Sequence, residues 1–403
     1  MNIEAKPYKL INTIQNYDWG TRNEKAFIPE LLGIETETDK PYAELWIGAH
    51  KKAPSKVIVE DKGISIIDLL KDSSNQILGK EASVKFDGKL PFLFKILSAG
   101  EALSIQAHPG KREAEVLNNI DPENYPDKNH KPEIAIAIDD LTALAGFRSH
   151  KEISKVLDEY SELTDLIGAE PVKRFIEADE NNYNKELRDL YSSLMINSEK
   201  DARRLKKTVK ATMKRINKNK QLNEEQELIV GLNNKYGYDV GLYSILLLNI
   251  LHLKSGEAIY LDTGIPHAYL KGNIVECMAN SDNVVRAGLT AKFKDISTLI
   301  HILNYDSKTI EVLGSADRKE LIEYNTPSTE FKISKYSLEE GKSLKFENNK
   351  TSNILLILDG SICFNDDKTE FVKGEVLLLP AVMESFSIKS VKNTQMFWVK
   401  IPE

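Results

Sequence analysis

Cysteine is scarce in this chain: two residues in 403. Cys277 and Cys363 lie far apart inside apolar runs, so they read as small buried thiols rather than a disulfide, and nothing implies an oxidising compartment. Long apolar runs are missing too. The longest, LYSILLLNILHL (Leu242 to Leu253), falls short of the ~20 residues of a spanning helix and contains Ser244, Asn249 and His252. The N-terminal MNIEAKPYKLINTIQ has no hydrophobic stretch of the kind a secretory signal needs. Positive charge is not in excess: 54 lysines and arginines face 61 acidic residues, a net charge of −7 with both signs mixed along the chain. That balance gives no electrostatic case for nucleic acid or an anionic membrane as partner. A soluble cytoplasmic protein is expected.

At this length the chain exceeds the usual size of a single core, so two or three domains are expected. Up to about Phe147 the text reads as short strands broken by Gly, Pro and Asp, as in YAELWIGAH, KVIVE, LPFLFKILSA and EIAIAI. It then changes. Ser149-His150-Lys151-Glu152 has capping-box spacing, and Ile153, Val156, Leu157 and Tyr160 follow at i, i+3, i+4 and i+7, the pattern of an amphipathic helix. Ser198 and Asp201 open a second such pattern on Ala202, Leu205 and Val209. The basic segment ARRLKKTVKATMKRINKNK has no interleaved aromatics and reads as a solvated helix face. Strands return after Lys254 in GEAIYLDTG and NIVECMA, and again after about Thr326 in FKISKYSL, NILLILDGSICF and GEVLLLPA. Between these blocks ADRKELIEY reads as a short helix.

One stretch poses a chemical problem. In SIQAHPG (Ser104 to Gly110) a strand puts Ser104, Gln106 and His108 on one face and Leu103, Ile105 and Ala107 on the other. A polar face on a core-like strand must meet water or be satisfied from inside. His267 in TGIPHAYL supplies another imidazole where Pro266 fixes the chain, and Glu133 opens an apolar strand directly after Pro132. Gln106, His108, Glu133 and His267 therefore make a candidate set of nitrogen and oxygen ligands of the kind zinc takes. His50, His150, His252 and His301 read as structural.

The two motifs, Gly100-x5-Gln106-x-His108 and Gly256-Glu257-x6-Gly264-x2-His267, resemble the paired metal motifs of the cupin family, with Gln106 in place of a histidine and Asp262 in place of a proline. A C-terminal counterpart, Gly341-x5-Glu347-x-Asn349 and Gly374-Glu375-x4-Pro380 followed by Ser385, keeps the turns without the histidines. The segments YDWG, AELWIGAH, PFLFKILSAGEALSIQAHP, NHKPEIAIAI, GIPHAYL and ECMANSDNVVRAGLT are similar, in the same order, to those of the type I mannose-6-phosphate isomerases (phosphomannose isomerases). This resemblance implies a mainly β fold: two cupin-type jelly-roll barrels with an α-helical domain inserted between them. The divisions expected are 1–148 with 251–325 for the catalytic barrel, 149–250 for the helical insertion, and 326–403 for a C-terminal barrel without metal ligands.

The resemblance also implies an aldose–ketose isomerase that interconverts mannose 6-phosphate and fructose 6-phosphate through an enediol. One zinc would be held by Gln106, His108, Glu133 and His267. Arg286, which stays protonated, would stabilise the enediolate rather than act as a base. Lys131, Asp282 and His130 are rival proton carriers. Ser104 and Lys95 would hold the phosphate and Glu276 the sugar hydroxyls, while Trp19 and Trp46 either wall the pocket or pack in the core. The expected partner is a small phosphosugar, with no nucleic acid or membrane, and the expected state is a monomer. Two other readings are a non-catalytic sugar-phosphate sensor and a metal-dependent cupin oxygenase. The first has no need of an arginine beside the metal, and the second favours a two-histidine, one-carboxylate set.

Overall fold

The computed structural model describes residues 3–60, 62–307, 310–315, 319–347, 350–365 and 367–402. The first strand of the chain meets one from near its C-terminal end. Tyr8–Ile11 pairs antiparallel with Val376–Leu379 on one side, Tyr8 opposite Leu378, and with Lys56–Val59 on the other, Leu10 opposite Val57. Its residues alternate in exposure, with Tyr8 and Leu10 inward, as a strand of period two with one buried face requires. The result, among the described residues, is a ten-stranded antiparallel sheet that joins the N-terminal strands to the C-terminal block.

Among the described residues the second sheet has eleven strands. Its spine is His267–Ala279, whose C-terminal half runs between Phe92–Ala99 and Glu133–Ala137 while its N-terminal half pairs with Leu141–Phe147. Gly272 marks the change of partners. Its φ is 129°, and a Cβ there would lie 2.6 Å from the Asp140 carbonyl oxygen, so only glycine fits. Ile105–Ala107 lies opposite His267 at Gln106 and also pairs with Val285–Gly288, Gln106 facing Arg286. The chain is thus mainly β with antiparallel sheets and a helical region.

Seven helices lie between His150 and Leu247 among the described residues. The capping box is present: the Ser149 side chain accepts from the Glu152 amide and the Glu152 carboxylate accepts from the Ser149 amide. Asp201 caps the Ala202–Ile216 helix through the Arg204 amide. Ser198 does not open that helix. It sits inside Tyr183–Lys200, where its hydroxyl donates to the Leu194 carbonyl at 2.7 Å, an i−4 bond that consumes its capping capacity. Leu205 and Val209 are buried and Ala202 is exposed.

The ADRKELIEY expectation is also corrected: Leu321–Tyr324 is a strand paired with Lys332–Leu338, and 316–318 lie outside the described residues. Ile322 and Tyr324 point inward and Leu321 and Glu323 outward, so a two-residue period overrode the helix-favouring charges before it. Asn349 of the C-terminal motif likewise lies outside the described residues. Both cysteines are free and buried. Among the described residues no helix is long and apolar enough to cross a membrane.

The largest apolar cluster matters for function. It packs Ile153, Tyr191 and Leu246 from the helices against Ile105, Ala107, Val285 and Ala287 from the strands. Each of the larger aliphatic side chains, such as Ile105, Val285 and Leu246, contributes about 1.5–3 kcal/mol by leaving water. The strands bearing Gln106 and Arg286 are therefore backed by the helical region.

Candidate metal centre and active site

His108, Glu133 and His267 come from three separate segments, and their ligand atoms all lie within 4.8 Å of one another. All three are buried, with exposures of 1%, 0% and 1%. Each imidazole has its other nitrogen fixed by backbone. His108 Nδ1–H donates to the Asn283 carbonyl (2.9 Å) and His267 Nδ1–H to the Ile265 carbonyl (2.8 Å), which leaves both Nε2 lone pairs facing inward. Glu133 Oε1 lies 3.0 Å from His267 Nε2, and Oε2 lies 3.4 Å from His108 Nε2. His267 Nε2 is nonetheless buried without a hydrogen bond.

Burial, reinforced by the neighbouring Lys131, lowers the His108 imidazole to about 4, so it is neutral at physiological pH. Burial alone would raise Glu133, but Lys131 and His108 more than reverse it and hold the carboxyl well below its usual range. The Lys131 Nζ donates to Glu133 Oε2 (2.9 Å) and to His108 Nε2 (3.1 Å), and Tyr269 Oη donates to Glu133 Oε1 (3.1 Å). A converging set of two imidazoles and one ionised carboxylate, with a buried ring nitrogen left without a hydrogen bond, is the donor chemistry that zinc takes. The residues fit the metal.

Beside the cluster opens a cavity of about 620 Å³. Ser104, Gln106, Lys131, Asp282 and Arg286 line it, so two of the three polar residues of SIQAHPG form pocket wall while His108 is buried in the adjoining cluster. Leu103 lines it as well, because the strand proper starts at Ile105 and the two-face rule does not reach back to 103. Trp19 and Trp46 both line the cavity, and Trp46 Nε1 donates to Glu44 (2.5 Å).

On the cavity wall Lys95 Nζ lies 2.9 Å from Glu276 Oε2 and 3.3 Å from Glu44 Oε2, all three side chains buried. One ammonium between two carboxylates is a net negative group. Despite the cost of burial, the carboxylates hold Lys95 firmly protonated. Burial, with Glu133 and Glu44 nearby, keeps Glu276 above its ordinary 4.5 because a shared cation cannot fully stabilise both acids.

The rival proton carriers are placed differently. Asp282 accepts from His50 Nε2 (3.2 Å) and Lys52 Nζ (3.0 Å), and these partners outweigh burial to hold its carboxyl far below the usual range. His130 turns from the cavity to Glu330, with Nε2 2.8 Å from Oε1. Arg286 is half-buried, and no carboxylate among the described residues pairs with it. Burial lowers its guanidinium only in the direction of neutrality, and at this position it faces the cavity as a cation.

Glu44 and Tyr269 were not singled out from sequence, and His50 was read there only as structural. Tyr269 was findable, since it stands two residues after His267 and so shares its strand face. Glu44 and His50 flank Trp46, whose register partner is Lys95, and that pairing is invisible without the fold.

The family model for the catalytic domain of type I phosphomannose isomerase matches residues 8–150, and that for its helical insertion domain matches residues 166–248. The chain is 38% identical to mannose-6-phosphate isomerase of Rattus norvegicus over 377 residues, 88% of each chain. It is 37% identical to that of Saccharomyces cerevisiae over 391 residues, 89% of this chain and 90% of the other. A holo, zinc-bound mannose 6-phosphate isomerase crystal structure superposes with a TM-score of 0.82 at 30% identity, covering 98% of this chain and all of that one. A mutant phosphomannose isomerase from Salmonella typhimurium gives 0.84 at 31% identity, again over 98% and 100%. These likenesses run through the site-bearing strands and the helical region alike, and the chain belongs to the type I phosphomannose isomerase family.

Proposed function

We propose that the protein is a zinc-dependent isomerase interconverting mannose 6-phosphate and fructose 6-phosphate. The observation that carries this is the convergence of His108, Glu133 and His267 beside a polar cavity into which Arg286 faces, with no carboxylate partner among the described residues. Zinc would be held by those three residues with Gln106, which stands opposite His267 in register. Bound there, it supplies Lewis acidity and a template for the sugar oxygens.

The chain's own groups divide the remaining work. Moving a proton between C1 and C2 of the open-chain sugar needs a base of raised basicity within the cavity. Glu276 meets that need. Asp282 is a weak base because His50 and Lys52 stabilise its anion, and His130 is directed to Glu330. Lys131, held as a donor at the edge of the cluster, is placed to give a proton to a sugar oxygen. Arg286 offsets the charge that develops on the enediolate. Ser104 is placed to donate to the phosphate. Lys95 is bound by two carboxylates, so its first effect is to hold Glu44 and Glu276 in position.

The division into a catalytic barrel (1–148 with 251–325), a helical insertion (149–250) and a C-terminal barrel (326–403) belongs to the same proposal. Supporting it are the return of strands after Leu247 and the lack of any histidine beyond residue 301. The family resemblance supports a monomer, and the composition supports a cytoplasmic location.

Incubating the zinc-loaded protein with mannose 6-phosphate and following the sugar by NMR tests the reading. Appearance of fructose 6-phosphate supports it. A sugar phosphate that binds and is never converted favours the sensor.

A further inference from the structure

Asp239 has no part in the chemistry above. It is buried just before the Gly241–Leu247 helix, at the end of the helical region. Its Oδ1 accepts the Gly241 amide at 2.7 Å and also, fifty residues on, the Leu289 amide at 2.7 Å. Lys294 lies 3.5 Å from its other oxygen.

Leu289 is an unusual residue to find in its conformation. Its φ is 55°, in the left-handed region, and it is buried. The other non-glycine residues with positive φ among those described are Asn, Asp, Glu or Lys. A γ-branched apolar residue has no side-chain oxygen to stabilise that backbone locally, so the surroundings must hold it there. Here the Asp239 carboxylate does so.

The two backbones also touch. A Cβ on Gly288 would lie 2.5 Å from Gly241 Cα and 2.8 Å from Asp239 Oδ1, and a Cβ on Gly241 would lie 2.7 Å from the Leu289 nitrogen. Two glycines and one carboxylate therefore lock the helical region against the segment that carries Arg286. Arg286 sits in the Val285–Gly288 strand, and Leu289 through Lys292 continue the same cavity wall. Since no carboxylate among the described residues steers the guanidinium, its place is set by its backbone.

We infer that Asp239 is a positioning residue for the isomerase: by clamping the Leu289 amide it fixes the wall from Arg286 to Lys292, and with it the guanidinium. This rests on the isomerase reading of the cavity. It gives the helical insertion a task in catalysis, that of anchoring one wall of the site.

The test is a double-mutant cycle between Asp239→Ala and Arg286→Ala, with kcat/KM for mannose 6-phosphate, zinc content and hydrogen exchange at the Leu289 amide as readouts. Asp239→Ala is expected to keep its zinc, to speed Leu289 exchange about tenfold or more, and to lower kcat/KM about 10- to 100-fold, as a displaced site residue does. In the Arg286→Ala background the same change should cost less than about threefold. Asp239→Asn retains the accepting Oδ1 and should recover most of the loss.

Should Asp239→Ala not fold, Asp239→Glu keeps the charge while displacing the clamp, and the cycle is read on it with the same expectation. Equal losses in both backgrounds, or a loss of stability with kcat/KM intact, overturn the positioning role. An inactive wild-type protein overturns the isomerase reading and the positioning role with it. An active wild type with an additive cycle overturns the positioning role alone.

Discussion

Glu133 Oε1 and His267 Nε2 stand 3.0 Å apart, both buried, with the imidazole proton committed elsewhere to the Ile265 carbonyl. Two acceptors held this close without a shared proton are stabilised by a cation between them. Tyr269 Oη donates to the same Glu133 oxygen and so sets the direction of that lone pair. Tyr269→Phe is expected to weaken zinc binding about tenfold, the usual effect of removing a partner of a metal ligand. Competition with a chelator of known affinity measures it, and unchanged affinity would mean that the tyrosine plays no part in holding the ligand.

With Glu276 as the proposed base, the reaction takes its pH dependence from this carboxyl. A base must be ionised to work, and burial raises this carboxyl above 4.5, so kcat/KM should fall as pH drops through a value above the ordinary carboxylate range. Glu276→Gln should remove that acid limb and lower kcat by about 10²- to 10⁴-fold, the usual contribution of a general base. A pH–rate profile of the two proteins decides. An acid limb that persists in the variant would move the role to another group.

Much of this site was legible before the fold. The candidate metal ligands could be proposed because SIQAHPG, NHKPE and GIPHA each place a histidine or carboxylate beside a proline that fixes the backbone, and the Ser149 cap could be read because it is local. Three features were not legible, for a common reason. The pairing of Tyr8 with Leu378, the sharing of Lys95 between Glu44 and Glu276, and the Asp239 clamp on Leu289 all join segments distant in sequence, or strands whose register only the sheet fixes. ADRKELIEY misled because its charges favour helix locally while Ile322 and Tyr324 gain more by burial in a strand.

Ser149 offers a control away from the chemistry. Ser149→Ala removes one half of the capping box and should lower the stability of the helical region by about 1 kcal/mol, seen as an earlier urea transition in the helical signal, with kcat/KM unchanged. A variant as stable as the wild type would show that packing of Ile153 and Val156 alone holds the helix end.

The central claim is that the His108, Glu133 and His267 cluster and Arg286 together isomerise the sugar phosphate. The most direct measurement is the rate of fructose 6-phosphate formation from mannose 6-phosphate by the wild-type protein as prepared with zinc, after chelation, and after zinc is restored, with Arg286→Ala alongside. The account predicts activity that is lost on chelation, returns with zinc, and is lowered by at least about 10²-fold in the variant, the cost of one electrostatic donor at a developing oxyanion. Conversion that survives complete removal of the metal, or a folded, zinc-loaded protein that binds the sugar phosphate and never converts it, would contradict it.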